Sequence, residues 1–119
     1  MKRDFDLIRL ILLEAEQNSA PGKSPYTPEI DGYDFQSINY NIKLMFDAGL
    51  VDVYHNTYKP NGDDYLIKSL TYEGHDFLDK IRSESVWNKT KNTIFDKVGS
   101  LTFEAIKTVS ATIIKGLLE

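Results

Sequence analysis

The sequence contains no cysteine, so disulfides, thiolate metal sites and cysteine nucleophiles are excluded. It has no long apolar run. Arg9 interrupts the densest stretch, Leu7 to Leu13, and no segment approaches the roughly 20 apolar residues that span a bilayer. It has no excess of positive charge: 14 Lys+Arg stand against 18 Asp+Glu, a formal charge of −4. Nonspecific nucleic-acid binders usually show a basic face, because neutralising phosphate supplies most of that affinity. No Gly-rich phosphate loop and no nucleophile elbow is present. There are two histidines, His55 and His75. His75 and Asp79 are four apart and can share a helical face, but the usual third metal ligand is missing. These absences predict no enzyme, metal, cofactor or small-molecule substrate. The start, Met1-Lys2-Arg3-Asp4, lacks the apolar core of a signal peptide. A cytoplasmic protein without membrane contact is expected.

What is present suits one soluble chain with its own core. The 119 residues are 41% hydrophobic and 27% charged. The spacing predicts a helix over 3–18, with Phe5, Ile8, Ile11, Leu12 and Ala15 as a buried stripe. Leu7, Leu10 and Leu13 widen that apolar surface. Residues 19–33 hold Pro21, Gly22, Pro25, Pro28 and Gly32 and read as a loop, with a short extended piece at Pro28–Asp31. A second helix is predicted over 34–48, capped by Asp34 and burying Ile38, Ile42, Met45 and Phe46. Gly49 stands at its C-terminal stop. Leu50 to Tyr58 and Tyr65 to Leu70 then read as strands around the turn Pro60-Asn61-Gly62-Asp63.

Three further helices follow, over 71–83, 84–98 and 101–118. Thr71 is a plausible cap, and Phe77, Leu78 and Ile81 form the first buried face. Val86, Trp87, Ile94, Phe95 and Val98 are the apolar positions of the next helix. In the last helix Leu101, Ile106, Val109, Ile113 and Leu117 repeat at heptad-like spacing. That stripe either packs on its own chain or pairs with a second copy. The expected architecture is α+β: a winged helix-turn-helix-like domain over 1–83 and a helical extension over 84–119 serving as an oligomerisation element.

The order helix, loop, helix, hairpin, helix carries a resemblance. Ser37-Ile38-Asn39-Tyr40-Asn41-Ile42-Lys43-Leu44-Met45-Phe46-Asp47-Ala48-Gly49-Leu50-Val51 resembles the recognition helix of winged-helix regulators running into the first wing strand. Leu70-Thr71-Tyr72-Glu73-Gly74 resembles the start of the helix after the wing. The chain departs from that pattern at Pro25 to Tyr33, where such regulators carry a bracing helix.

Met1-Lys2-Arg3-Asp4-Phe5-Asp6-Leu7-Ile8-Arg9 and Tyr40-Asn41-Ile42-Lys43-Leu44 carry a second resemblance. So do the stretches Glu73-Gly74-His75-Asp76-Phe77-Leu78-Asp79 and Val86-Trp87-Asn88-Lys89-Thr90-Lys91. Together they resemble a family of small bacterial and phage-borne proteins known by a domain-of-unknown-function label. The likeness covers residues 1–98. It implies a phage or prophage setting and brings no catalytic or binding residues with it.

The winged-helix resemblance implies a DNA-binding, transcription-regulator-like protein that contacts double-stranded DNA. Its groove-facing side chains would be Gln36, Ser37, Asn39, Tyr40 and Lys43. Gln and Asn can read adenine edges, and Ser and Tyr can contact phosphate. The alternative is a winged-helix adaptor that binds another protein and no nucleic acid. Charge supports the alternative. Lys43 is the only Lys or Arg between Asp34 and Tyr58, and residues 1–83 hold 9 Lys+Arg against 14 Asp+Glu. At the wing tip Lys59 favours phosphate, whereas Asp63 and Asp64 repel it. Lys2, Arg3 and Arg9 form one small basic cluster.

Overall fold

Asp4 opens the first helix, α1 (Phe5–Asn18), with its carboxylate accepting from the Leu7 N–H at 3.1 Å. The computed structural model describes residues 1–57, 60 and 62–119. Tyr58, the wing-tip Lys59 and Asn61 of the expected turn lie outside the described residues. Among the described residues, five helices and one two-stranded antiparallel sheet make a mixed α+β chain. Its element order is compatible with a winged-helix-like fold. No helix among the described residues is long and apolar enough to cross a membrane.

Two compact units result, Met1–His75 and Asp76–Glu119. The division falls within a helix, earlier than the boundary at 83 expected from the sequence.

In the first unit, α1 buries Phe5, Leu7, Ile8, Ile11, Leu12 and Ala15, while Leu10 and Leu13 stay half-exposed. The breaker-rich segment forms no helix. Its extended residue is Tyr26 and not the expected Pro28–Asp31. Tyr26 exchanges both backbone hydrogen bonds with Ile67, at 3.1 and 2.7 Å. The Tyr26 hydroxyl donates to Glu14 on α1. Burial, and then that hydrogen bond to Glu14, push the Tyr26 pKa upward.

The second helix, α2 (Phe35–Asp47), is capped by Asp34, which accepts from the Ser37 N–H at 2.8 Å. That bond holds the Asp34 carboxyl below its ordinary pKa. Ile38, Asn41, Ile42 and Met45 are buried. Phe46, expected on that face, is 44% exposed, because the 3.6-residue period sets it at the edge of the stripe formed by Ile38, Asn41, Ile42 and Met45. The strands β1 (Val51–Asn56) and β2 (Asp64–Leu70) pair from Val51–Leu70 to Asn56–Asp64, with a bulge after Asp52.

The hairpin is fastened at its base. Gly49 leaves α2 at φ +79°, a left-handed conformation that favours glycine. The Leu50 N–H then donates to the Met45 carbonyl at 2.9 Å. Where β2 returns to that base, the Thr71 N–H donates to the Leu50 carbonyl at 3.0 Å. The Thr71 hydroxyl donates to the Gly49 carbonyl and accepts from the Gly74 N–H, so it caps α3 (Tyr72–Ile81) as expected. Gly74 lies so close that a Cβ there would sit 1.9 Å from the Leu50 carbonyl oxygen.

In the second unit, α4 (Glu84–Lys97) is capped by Ser83 and α5 (Phe103–Leu118) by Thr102. The rings of Phe77 and Phe103 stack at 4.7 Å. Val86, Trp87, Ile94 and Ile106 are buried, while Phe95 and Val98 at the end of α4 are exposed despite their apolar character. Thr90 is fully buried, and its hydroxyl has no hydrogen-bond partner among the described residues.

Replacing Gly74 with Ala is expected to destabilise the fold by about 3 kcal/mol, because the Cβ meets backbone that cannot give. Gly116, helical with open space around its Cα, is the control. Gly116→Ala should stabilise by up to about 1 kcal/mol from propensity alone. Thermal unfolding of the two variants checks both signs; similar effects would contradict the close approach.

Candidate docking groove on the second helix

One face of α2 and the return of the hairpin enclose an open groove of about 610 Å³. Gln36, Asn39, Tyr40 and Lys43 line it from the helix, and Asp63, Asp64 and Tyr65 line it from the hairpin. Phe35, 49% exposed, and Met1 complete the rim. Four of the five side chains proposed from sequence for DNA contact are therefore brought together. The fifth, Ser37, does not line the groove. It is half-buried, its N–H is bound by Asp34, and its carbonyl accepts from Asn41 at 2.9 Å.

Two of the side chains that gather here, Asn39 and Lys43, are already engaged. The Asn39 amide nitrogen donates to the Asp63 carbonyl at 2.9 Å, and its oxygen accepts from the Tyr65 N–H at 2.7 Å. One side chain thus clamps the hairpin to the helix through both of its polar atoms. Asn39 is a structural clasp. Lys43 lies 2.8 Å from Asp47, one turn on. That hydrogen bond, and then the Asp47 charge, raise the Lys43 pKa. The ammonium remains charged but has a carboxylate beside it. Both partners are well exposed, so the pair adds little stability.

The hairpin side of the groove is acidic and aromatic. His55 Nε2 lies 2.8 Å from Asp63 Oδ2, and the His55 ring stacks on Tyr65 at 4.4 Å. Lys43 is the one cationic side chain among the described residues that line the groove.

Asn41 lies on the opposite, buried side of α2. It accepts from the Asp4 N–H at 2.9 Å and donates to the carbonyls of Lys2 and Ser37 at 3.3 and 2.9 Å. Its amide thereby fastens the chain start to α2. The sequence contained the signal, since 38, 41, 42 and 45 form the three-and-four stripe of α2 and Asn41 is its one polar member.

The residues considered elsewhere are dispersed. His75 Nδ1 lies 3.9 Å from Glu16, whereas Asp79 accepts from Arg82 at 2.8 Å, so each has its own partner. No group of three or more His, Asp or Glu among the described residues can hold a metal ion. Along α5 the proposed oligomerisation stripe does not form one outward face. Ile106 is fully buried within the chain and unavailable to a second copy. Leu101, Val109 and Ile113 are half-exposed, and Leu117 is 67% exposed.

The architecture and its groove define a small mixed α+β protein in which a capped helix is clasped to a β-hairpin. The chain belongs to the DUF2513 family, whose description is "Hypothetical protein (DUF2513)" and whose model matches residues 2–100. This agrees with the resemblance carried by the chain start, the Tyr40–Leu44 segment and the Glu73–Asp79 segment. The chain is similar to an "Uncharacterized protein" of Haemophilus influenzae, 40% identical over 118 residues and covering 99% of each chain. No solved structure matches it.

Asn39→Ala is expected to cost about 1–3 kcal/mol, because it removes two hydrogen bonds and leaves the part-buried Tyr65 N–H unmet. Amide exchange at Tyr65 should quicken more than exchange in α1. Unchanged Tyr65 protection would mean that the clasp does not hold the hairpin.

Proposed function

We propose that the Met1–His75 unit is a protein-interaction module and that the groove between α2 and the hairpin is its docking face. The engagement of the groove's own polar groups carries this reading. Asn39 is committed to the hairpin backbone, Lys43 stands beside Asp47, and Asp63 and Asp64 occupy the rim where phosphate would approach. DNA affinity rests largely on cations that neutralise phosphates, and this groove sets two Asp residues against one Lys.

A second reading, a DNA-binding, transcription-regulator-like protein, is favoured by one observation. α2 is followed directly by a hairpin, as in winged helices, and its Gln36 is exposed in the groove. On that reading Gln36, Tyr40 and Lys43 approach the duplex.

A photoreactive residue in place of Gln36 separates the two in living cells. The interaction reading predicts a discrete protein adduct after illumination. It also predicts no salt-sensitive binding of random-pool duplex DNA by the purified chain. A nucleic-acid adduct, together with DNA binding that weakens steeply with salt and is lost in Lys43→Glu, would overturn it.

A further inference from the structure

We infer that the segment held by this groove is cationic, with an arginine or lysine side chain set against Asp63 and Asp64 and over the groove's aromatic rings. The inference rests on the docking reading above and names the chemistry of the partner.

Three features of the groove support it. The first is charge. The unit that forms it holds 7 Lys+Arg against 12 Asp+Glu, and Asp63 and Asp64 line the groove with a single lysine, Lys43. The second is the pairing of acid with ring. Phe35, Tyr40 and Tyr65 line the same space, and Phe35 is half open to solvent. A guanidinium is planar, can bind a carboxylate through two parallel hydrogen bonds, and stacks on aromatic faces. A phosphate or an acidic segment gains neither contact.

The third feature is preorganisation. Asn39 binds the backbone of both Asp63 and Tyr65, so the acid and the ring are held by one side chain. His55 adds a second restraint, with its Nε2 on the Asp63 carboxylate and its ring on Tyr65. Groups fixed in place before binding lose less freedom when the ligand arrives.

The test uses the full chain and fluorescein-labelled eight-residue peptides in which serine alternates with arginine, alanine or glutamate. The arginine peptide should bind about ten-fold more tightly than the other two, the effect of one charge-assisted contact. The double variant Asp63→Asn/Asp64→Asn should abolish that preference. The double variant Glu29→Gln/Asp31→Asn makes the same change of charge at exposed positions outside the groove and should keep it. Equal losses in the two double variants would reduce the effect to bulk charge and overturn the inference. Should the groove variant fail to fold, Phe35→Ala replaces an exposed side chain and should still weaken the arginine peptide several-fold; no change would count against the site. A protein adduct at Gln36 without arginine preference would overturn the cationic ligand and leave the docking reading standing. A nucleic-acid adduct would remove the docking reading itself.

Discussion

The fold depends on the contact between the Leu50 carbonyl and the backbone of residues 71–74. At this point the exit from α2, the start of β1, the end of β2 and the first turn of α3 share one set of hydrogen bonds. Leu50 donates back to Met45 and accepts from Thr71, and the Thr71 hydroxyl joins Gly49 to Gly74. Two glycines make this possible for different reasons. Gly49 supplies a left-handed backbone, whereas Gly74 supplies the space that a methyl group would fill. Buried polar backbone groups need partners, and this junction satisfies those of four elements at once.

The groove follows from that junction. With both ends of the hairpin fixed at the base, its return strand lies beside α2, and one amide, that of Asn39, closes the remaining gap. On the other side of the helix, Asn41 fastens the chain start. α2 is therefore held by an asparagine on each of two faces, and its Gln36, Tyr40 and Lys43 line the groove beside Asn39. The surface that results gathers three aromatic rings with Asp63, Asp64 and one lysine, Lys43. Such a surface favours recognition of a positively charged side chain and disfavours a polyphosphate backbone.

Much of the fold was legible in the sequence, because it was written in periodicity and end signals. Asp34, Gly49 and Thr71 announced their roles through residue type alone, and the stripes of α1 and α2 located most of the core. The motifs Ala48-Gly49-Leu50 and Leu70-Thr71-Tyr72-Glu73-Gly74 were recognisable as patterns, but their mutual contact was not, since they meet across a hairpin. Tyr26 was missed for a related reason. A single bridge to Ile67 leaves no alternation in the sequence to detect. Apolar character alone does not separate the buried Met45 and Ile94 from their exposed neighbours Phe46 and Phe95. At the site, the placement of Gln36, Asn39, Tyr40 and Lys43 along one helix face was readable. Their commitments were not. The bonds of Asn39 to Asp63 and Tyr65 span 24 and 26 residues, and periodicity within one element carries no information about such partners. Ile106 shows the same limit, because heptad spacing alone does not tell a core position from an interface.

The most direct test of the account is native-state hydrogen exchange at the Thr71 and Gly74 amides. If the junction holds the Met1–His75 unit together, both amides exchange only through unfolding of that unit, at the same free energy as the core amides of α1 such as Ile11. Exchange at Thr71 and Gly74 through a local opening, while Ile11 stays protected, would show that the hairpin base is an ornament of the fold and not its support.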